Sequence, residues 1–141
     1  MIERTLAQNI MQIIGGNKAI TILGARQVGK STLLKMMLGE RKDVMWLNGD
    51  DLDIQELFRN ITSTRLQAII GNYRIVVIDE AQRIPDIGLR MKLITDQTSD
   101  VQVIATGSSS FELSGKINEA LTGRKREFRM FPLTFREMVN N

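Results

Sequence analysis

Apolar positions along this chain alternate between two periods. Leu6, Ile10, Ile13 and Ile14 fall on one face of a helix, and Gly15 with Gly16 supplies a stop. Residues 19–23 (AITIL) form a short, almost unbroken apolar run, which predicts a strand ending at Gly24. A second helix follows, with Leu33, Leu34, Met37 and Leu38 inward and Gly39 near its end. Residues 43–48 (DVMWLN) read as another strand, and residues 51–71 as two short helical pieces broken around 60–63. IVVI at 75–78 is the third strand; Pro85 and Asp86 open a helix carrying Ile87, Met91 and Ile94. VQVIAT at 101–106 is the fourth strand and runs into the polar stretch GSSS. A helix near 115–122, a strand near 126–131 and a helix starting at Thr134 complete the pattern.

Strands that alternate with helices predict an α/β domain with a mainly parallel sheet covered on both faces. The continuous apolar runs of the first, third and fourth strands fit double burial. At 141 residues the chain has the length of one domain with a sizeable core, and no internal repeat or low-complexity tract interrupts it.

Composition narrows the chemistry more than the fold. Hydrophobic content of 43% and charged content of 25% are ordinary for a globular protein. No apolar run approaches the roughly 20 residues that span a bilayer, and no basic-then-apolar leader opens the chain. A cytoplasmic setting away from any membrane is the expectation. The absence of cysteine and histidine excludes thiol and imidazole catalysis and every metal site built on those ligands. A metal here must be a hard cation held by oxygens, such as Mg²⁺. The net charge of +3 is compatible with an anionic partner without requiring one.

The sharpest motif is GARQVGKS, residues 24–31, which satisfies G-x-x-x-x-G-K-[ST] between a predicted strand and a predicted helix. Gly24 and Gly29 let the backbone curl so that the N–H groups of Ala25, Arg26, Gln27, Val28, Gly29, Lys30, Ser31 and Thr32 can face phosphates. Lys30 is placed to reach the β- and γ-phosphates, and the Ser31 hydroxyl to ligate Mg²⁺. The side chains of Arg26 and Gln27 occupy variable positions, where a solvated side chain is the simplest account.

The second motif is RIVVIDEAQRI, residues 74–84, where an apolar strand runs into two acids. Asp79, at the carboxyl edge of a parallel sheet, is placed to hold the Mg²⁺ expected at Ser31. Strand alternation sends Glu80 to the other side, where it can orient a water for attack on the γ-phosphate. The competing account makes Glu80 a surface acid paired with Arg83. After the fourth strand, Ser108 and then Thr106 are candidates for a hydroxyl that senses the γ-phosphate, while a serine-rich helix cap is the alternative. Arg124, in LTGRKREFR, is a candidate arginine finger acting across a self-association interface. A solvated edge strand or a nucleic-acid contact competes for the same basic cluster.

Together, GARQVGKST, VVIDEAQRIP, IATGSSS, LTGR and FPLTFRE resemble a prokaryotic family of AAA+ ATPases whose core is usually followed by a C-terminal domain of unknown function. The resemblance implies a three-layer P-loop NTPase fold with a five-stranded sheet in the order 5-1-4-3-2. The strand bearing Thr106 would then lie between the phosphate-loop strand and the Asp79 strand. It also implies ATP with Mg²⁺, and it sets the expectation that residues 1–141 are the N-terminal ATPase core without a helical lid. The functional reading is an ATP hydrolase using Glu80 and coupled to a DNA or protein partner. The alternative is a slow nucleotide-gated switch or scaffold. A guanine reader is missing where Ras-like GTPases carry one, since ATGSSS stands there, and half a helicase would need a second lobe.

Overall fold

The computed structural model describes residues 2–16, 18–24, 29–97, 100–108, 121, 123 and 125–130. In chain order these form α1 (Ile2–Met11), β1 (Ala19–Gly24), α2 (Lys30–Leu38), β2 (Val44–Asn48), α3 (Leu52–Phe58) and α4 (Ser63–Ile70). They continue with β3 (Ile75–Asp79), a one-turn 3-10 helix (Ala81–Arg83), α5 (Ile87–Gln97), β4 (Gln102–Gly107) and β5 (Lys125–Met130). The expected helices near 115–122 and from Thr134 lie outside the described residues.

The five strands form one sheet in the order β2-β3-β4-β1-β5, and all four neighbouring pairs are parallel. This is the expected order read from the opposite edge. β1, β3 and β4 are buried along almost their whole length, whereas β2 and β5 each bury one residue and leave the rest half-buried or exposed. The difference follows from place: interior strands carry a helical layer on each face, and edge strands meet solvent. On β5 the alternation puts Glu127 between Lys125 and Arg129, at 3.3 and 3.2 Å, so part of the basic cluster is an edge ladder.

Two apolar clusters, one per face, make the three layers. Leu33, Leu34 and Leu38 of α2, with Ile10 of α1, pack on Ile20, Ile22, Ile75, Val77 and Ile104. Phe58, Leu66, Ile70, Ile87, Met91 and Ile94 of α3, α4 and α5 cover Leu23, Val76, Ile78, Val103 and Ala105. Each fully buried Leu, Ile or Phe contributes about 1.5–3 kcal/mol of transfer free energy. α1 ends at Met11, earlier than its apolar face suggested; Ile13 and Ile14 pack on the core from a hydrogen-bonded turn. The break between α3 and α4 falls where expected. Asn60 there takes a positive φ of 59°, and Thr62 caps α4 by accepting from the Arg65 N–H at 3.2 Å.

The N-terminal edge of the sheet is stitched by polar contacts. The Asp43 carbonyl accepts from the N–H groups of Arg74 and Ile75, and the Arg74 carbonyl accepts from Gln102 N–H. The buried Gln102 side chain donates to the carbonyls of Ile13 and Lys18, at 3.0 and 2.9 Å, and accepts from Gly15 N–H at 3.0 Å. Beside it on the surface, the Arg41 guanidinium forks onto Asp43 at 2.9 and 2.7 Å, a hydrogen-bonded pairing that lowers the Asp43 pKa. Among the described residues no helix is long and apolar enough to cross a membrane.

Candidate functional site

The opposite, C-terminal edge gathers the candidate chemistry. β1 delivers Gly24 to this edge and α2 leaves it at Lys30. Gly29, with φ of 91° and ψ of 25°, makes the left-handed turn between them, a conformation that glycine adopts without a Cβ penalty. Its carbonyl accepts the first helical bond, from Leu33 N–H at 2.9 Å. Gly29 offers no side-chain cap, and the start of α2 carries the positive end of the helix dipole, which favours an anion. Lys30 is 3% exposed and its ammonium donates to the Gly24 carbonyl at 2.9 Å, which pins a positive charge across the mouth of the loop. Thr32 is exposed on α2. Ala25, Arg26, Gln27 and Val28 lie outside the described residues.

Ser31 and Asp79 meet directly, the hydroxyl donating to Asp79 Oδ2 at 2.7 Å. The other carboxylate oxygen, Oδ1, accepts from the Thr106 hydroxyl at 2.5 Å. Thr106 is fully buried on β4, next to β3, and its oxygen also accepts from Glu80 N–H at 3.2 Å. One threonine therefore ties the side chain of the first acid to the backbone of the second. Ser31 and Asp79 offer a hydroxyl and a carboxylate, the donor set of a hard cation that takes few protein oxygens and its remaining ligands from phosphate and water. Among the described residues no group of three or more acidic side chains could hold a metal ion.

Glu80 departs from the expectation based on strand alternation. β3 ends at Asp79, and Glu80 stands outside it in a left-handed conformation, φ 50° and ψ 49°. The two acids are divided by this kink rather than by the pleat of a strand. Ala81 and Ile84, both 0% exposed, anchor the following 3-10 turn in the core. Glu80 Oε2 accepts from Gln82 Nε2 at 2.7 Å and from Ser108 Oγ at 3.2 Å, and the same Gln82 nitrogen donates to Ser108 Oγ at 2.9 Å. The proposed Glu80–Arg83 pair is not formed: Arg83 reaches Asp50 at 3.3 Å instead.

Gly49, just after β2, fixes the kink from the edge of the sheet. Its N–H donates to the Asp79 carbonyl at 2.6 Å, and a Cβ there would collide with the Glu80 carbonyl oxygen. The structure thus brings Gly24, Gly29, Lys30, Ser31, Asp79, Glu80, Thr106 and Ser108 to one edge. Thr106 is committed to the two acids, while Ser108 is half-buried against the Glu80 carboxylate. Arg124 lies outside the described residues. Gln82 and Gly49 went unnoticed in the sequence. A glycine directly after a strand is a sign of close backbone approach, but Gln82 carried no signal of its own.

Comparison with known proteins agrees with this geometry. A family model described as an AAA domain matches residues 16–139. Uncharacterised proteins from Mycobacterium tuberculosis and Mycobacterium bovis are each 26% identical over 137 residues, covering 96% of this chain and 30% of their own length. One from Methanocaldococcus jannaschii is 28% identical over 131 residues, covering 87% of this chain and 28% of its own. The chain therefore spans about 30% of the length of the curated relatives it matches. Among solved structures, a candidate primosome component from Streptococcus pyogenes superposes with a TM-score of 0.59 at 20% identity, over 92% of this chain and 77% of that one. A chain from the structure of Drosophila ORC bound to DNA gives a TM-score of 0.62 at 11% identity, over 97% and 95%. At such identities these two report the fold. With the family model covering nearly the whole domain and the sheet order in accord with it, this chain belongs to the AAA domain family of P-loop ATPases.

Proposed function

We propose that this domain hydrolyses ATP with Mg²⁺, using Glu80 as the base that activates water. The observation that carries the reading is the division of labour between the acids. Asp79 is bonded to Ser31 and Thr106, and Glu80 is held apart by Gln82 and Ser108. The α2 N-terminus and Lys30 bind the β- and γ-phosphates, and Ser31 and Asp79 hold the cation. When bound, Mg²⁺ neutralises charge building on the phosphate oxygens. Lys30 adds a second positive charge on the same side. The Glu80 carboxylate accepts a proton from the attacking water, and its kinked backbone sets it away from the cation ligands. Arg124, from a neighbouring copy, is the candidate to complete the charge stabilisation.

In the whole protein, Glu80→Gln should bind ATP as wild type does and lose turnover by at least about 100-fold. Retained turnover would remove Glu80 as the base. We further propose that hydrolysis is coupled to a DNA partner, a reading supported by the fold shared with a chain from ORC bound to DNA. The same assay, run with single- and double-stranded DNA, tests this second part. Stimulation supports it, and an unchanged rate at saturating DNA overturns it.

A further inference from the structure

Gln82 takes no part in the proposed reaction itself, yet among the described residues it is the nearest donor to the Glu80 carboxylate, at 2.7 Å. Its amide orientation is set by chemistry. Turned the other way, its carbonyl oxygen would face a carboxylate and meet repulsion, so the NH₂ group must point at Glu80. The consequence is a cost elsewhere: Gln82 Oε1 is buried and has no hydrogen-bond partner among the described residues. A residue that only filled space in this turn would be better replaced by an apolar one of the same shape. Gln82 also stands on a rigid base, because Ala81 and Ile84 on either side of it are locked in the core. Both donors to Glu80, Gln82 and Ser108, reach the same oxygen, Oε2; among the described residues Oε1 receives no hydrogen bond.

We infer that Gln82 is a positioning residue. By donating to Oε2 and to Ser108 it fixes the rotamer of Glu80, so that Oε1 is the oxygen presented to the attacking water. The inference rests on the reading of Glu80 as the base, and it assigns to the turn after β3 a role beyond ending the strand. In this role Gln82 acts through Glu80.

The test is a double-substitution cycle in the whole protein. It uses Gln82→Met, which keeps the shape and removes the donor, alone and with Glu80→Gln. Turnover, affinity for a fluorescent ATP analogue and melting temperature are measured for each. Gln82→Met alone should lower kcat by about 10- to 100-fold. Analogue affinity should stay within about twofold, and the melting temperature should hold or rise as the unpaired carbonyl is removed. In the Glu80→Gln background the same change should alter the residual rate by less than about twofold, since the group it positions is gone. A wild-type kcat in Gln82→Met overturns the inference, as does an equal further loss on top of Glu80→Gln. If Glu80→Gln alone retains turnover, the base reading and this inference both fail. If Glu80→Gln is inactive and Gln82→Met fully active, only the role of Gln82 fails.

Discussion

β4 carries a buried polar side chain at each end, and the two do opposite work. At the N-terminal end Gln102 makes three hydrogen bonds to backbone groups 84 to 89 residues away, tying the turn after α1 to the sheet. At the C-terminal end Thr106 bonds to the Asp79 carboxylate and the Glu80 N–H. Both obey the rule that buried polar groups find partners. They differ in what the partners can still do. Gln102 closes on main-chain groups with no further chemistry, so its contacts end in stability. Thr106 closes on the two acids to which the proposed reaction assigns the chemistry, and among the described residues the neighbouring Gln82 amide leaves a buried oxygen unpaired.

The comparison can be broken at three points. Gln102→Leu should have the largest effect on stability. It strands two carbonyls and an N–H in a closed site, at about 3 kcal/mol in unfolding free energy, while turnover per folded molecule stays within about twofold. Urea unfolding together with single-temperature turnover reads both, and a matching fall in turnover would erase the distinction between the edges. Thr106→Val keeps volume and removes the hydroxyl. Turnover should fall by about 10-fold or more, with about 1 kcal/mol of stability lost, because one acid loses a donor and the other loses an acceptor for its N–H. An active Thr106→Val enzyme would reduce Thr106 to a structural tie like Gln102. The smallest effect belongs to Arg41 and Asp43. The folded-state pKa of Asp43 is lowered by the Arg41 hydrogen bond, so its contribution is complete above the ordinary carboxylate pKa. That contribution is lost as pH falls through and below that value. On an exposed pair it should be small and salt-screened, and Arg41→Gln should remove it from an acid-unfolding titration.

The interior strands were legible because double burial writes itself as continuous apolar runs; β3 and β4 need no partner information to be recognised. That Lys30, Ser31 and Asp79 share one edge of the sheet was legible because a G-x-x-x-x-G-K-[ST] spacing after a strand and an acid at a strand end both mark that edge. The order of the strands was another matter: periodicity names elements without arranging them, and the arrangement came from family resemblance. The left-handed Glu80 could not be read, since Glu is an ordinary strand-end residue and its kink is imposed by Gly49 and the buried anchors Ala81 and Ile84. Gln82 and Gln102 were hidden for a related reason. A glutamine looks like surface until its partners, distant in sequence or folded back by a 3-10 turn, are brought to it.

The backbone of Glu80 has an evolutionary consequence. A left-handed conformation disfavours a residue with a Cβ by about 1 kcal/mol or more, and glycine would adopt it freely. Selection for heat resistance alone would drive position 80 towards glycine, giving a firmer fold with no carboxylate. With Glu80 as the proposed base, a directed-evolution scheme that scores only folding would erase the reaction while reporting improvement. The glutamate stands against the local preference of its own backbone, so with Glu80 as the proposed base, position 80 in variant libraries is where selection for folding and selection for chemistry pull apart.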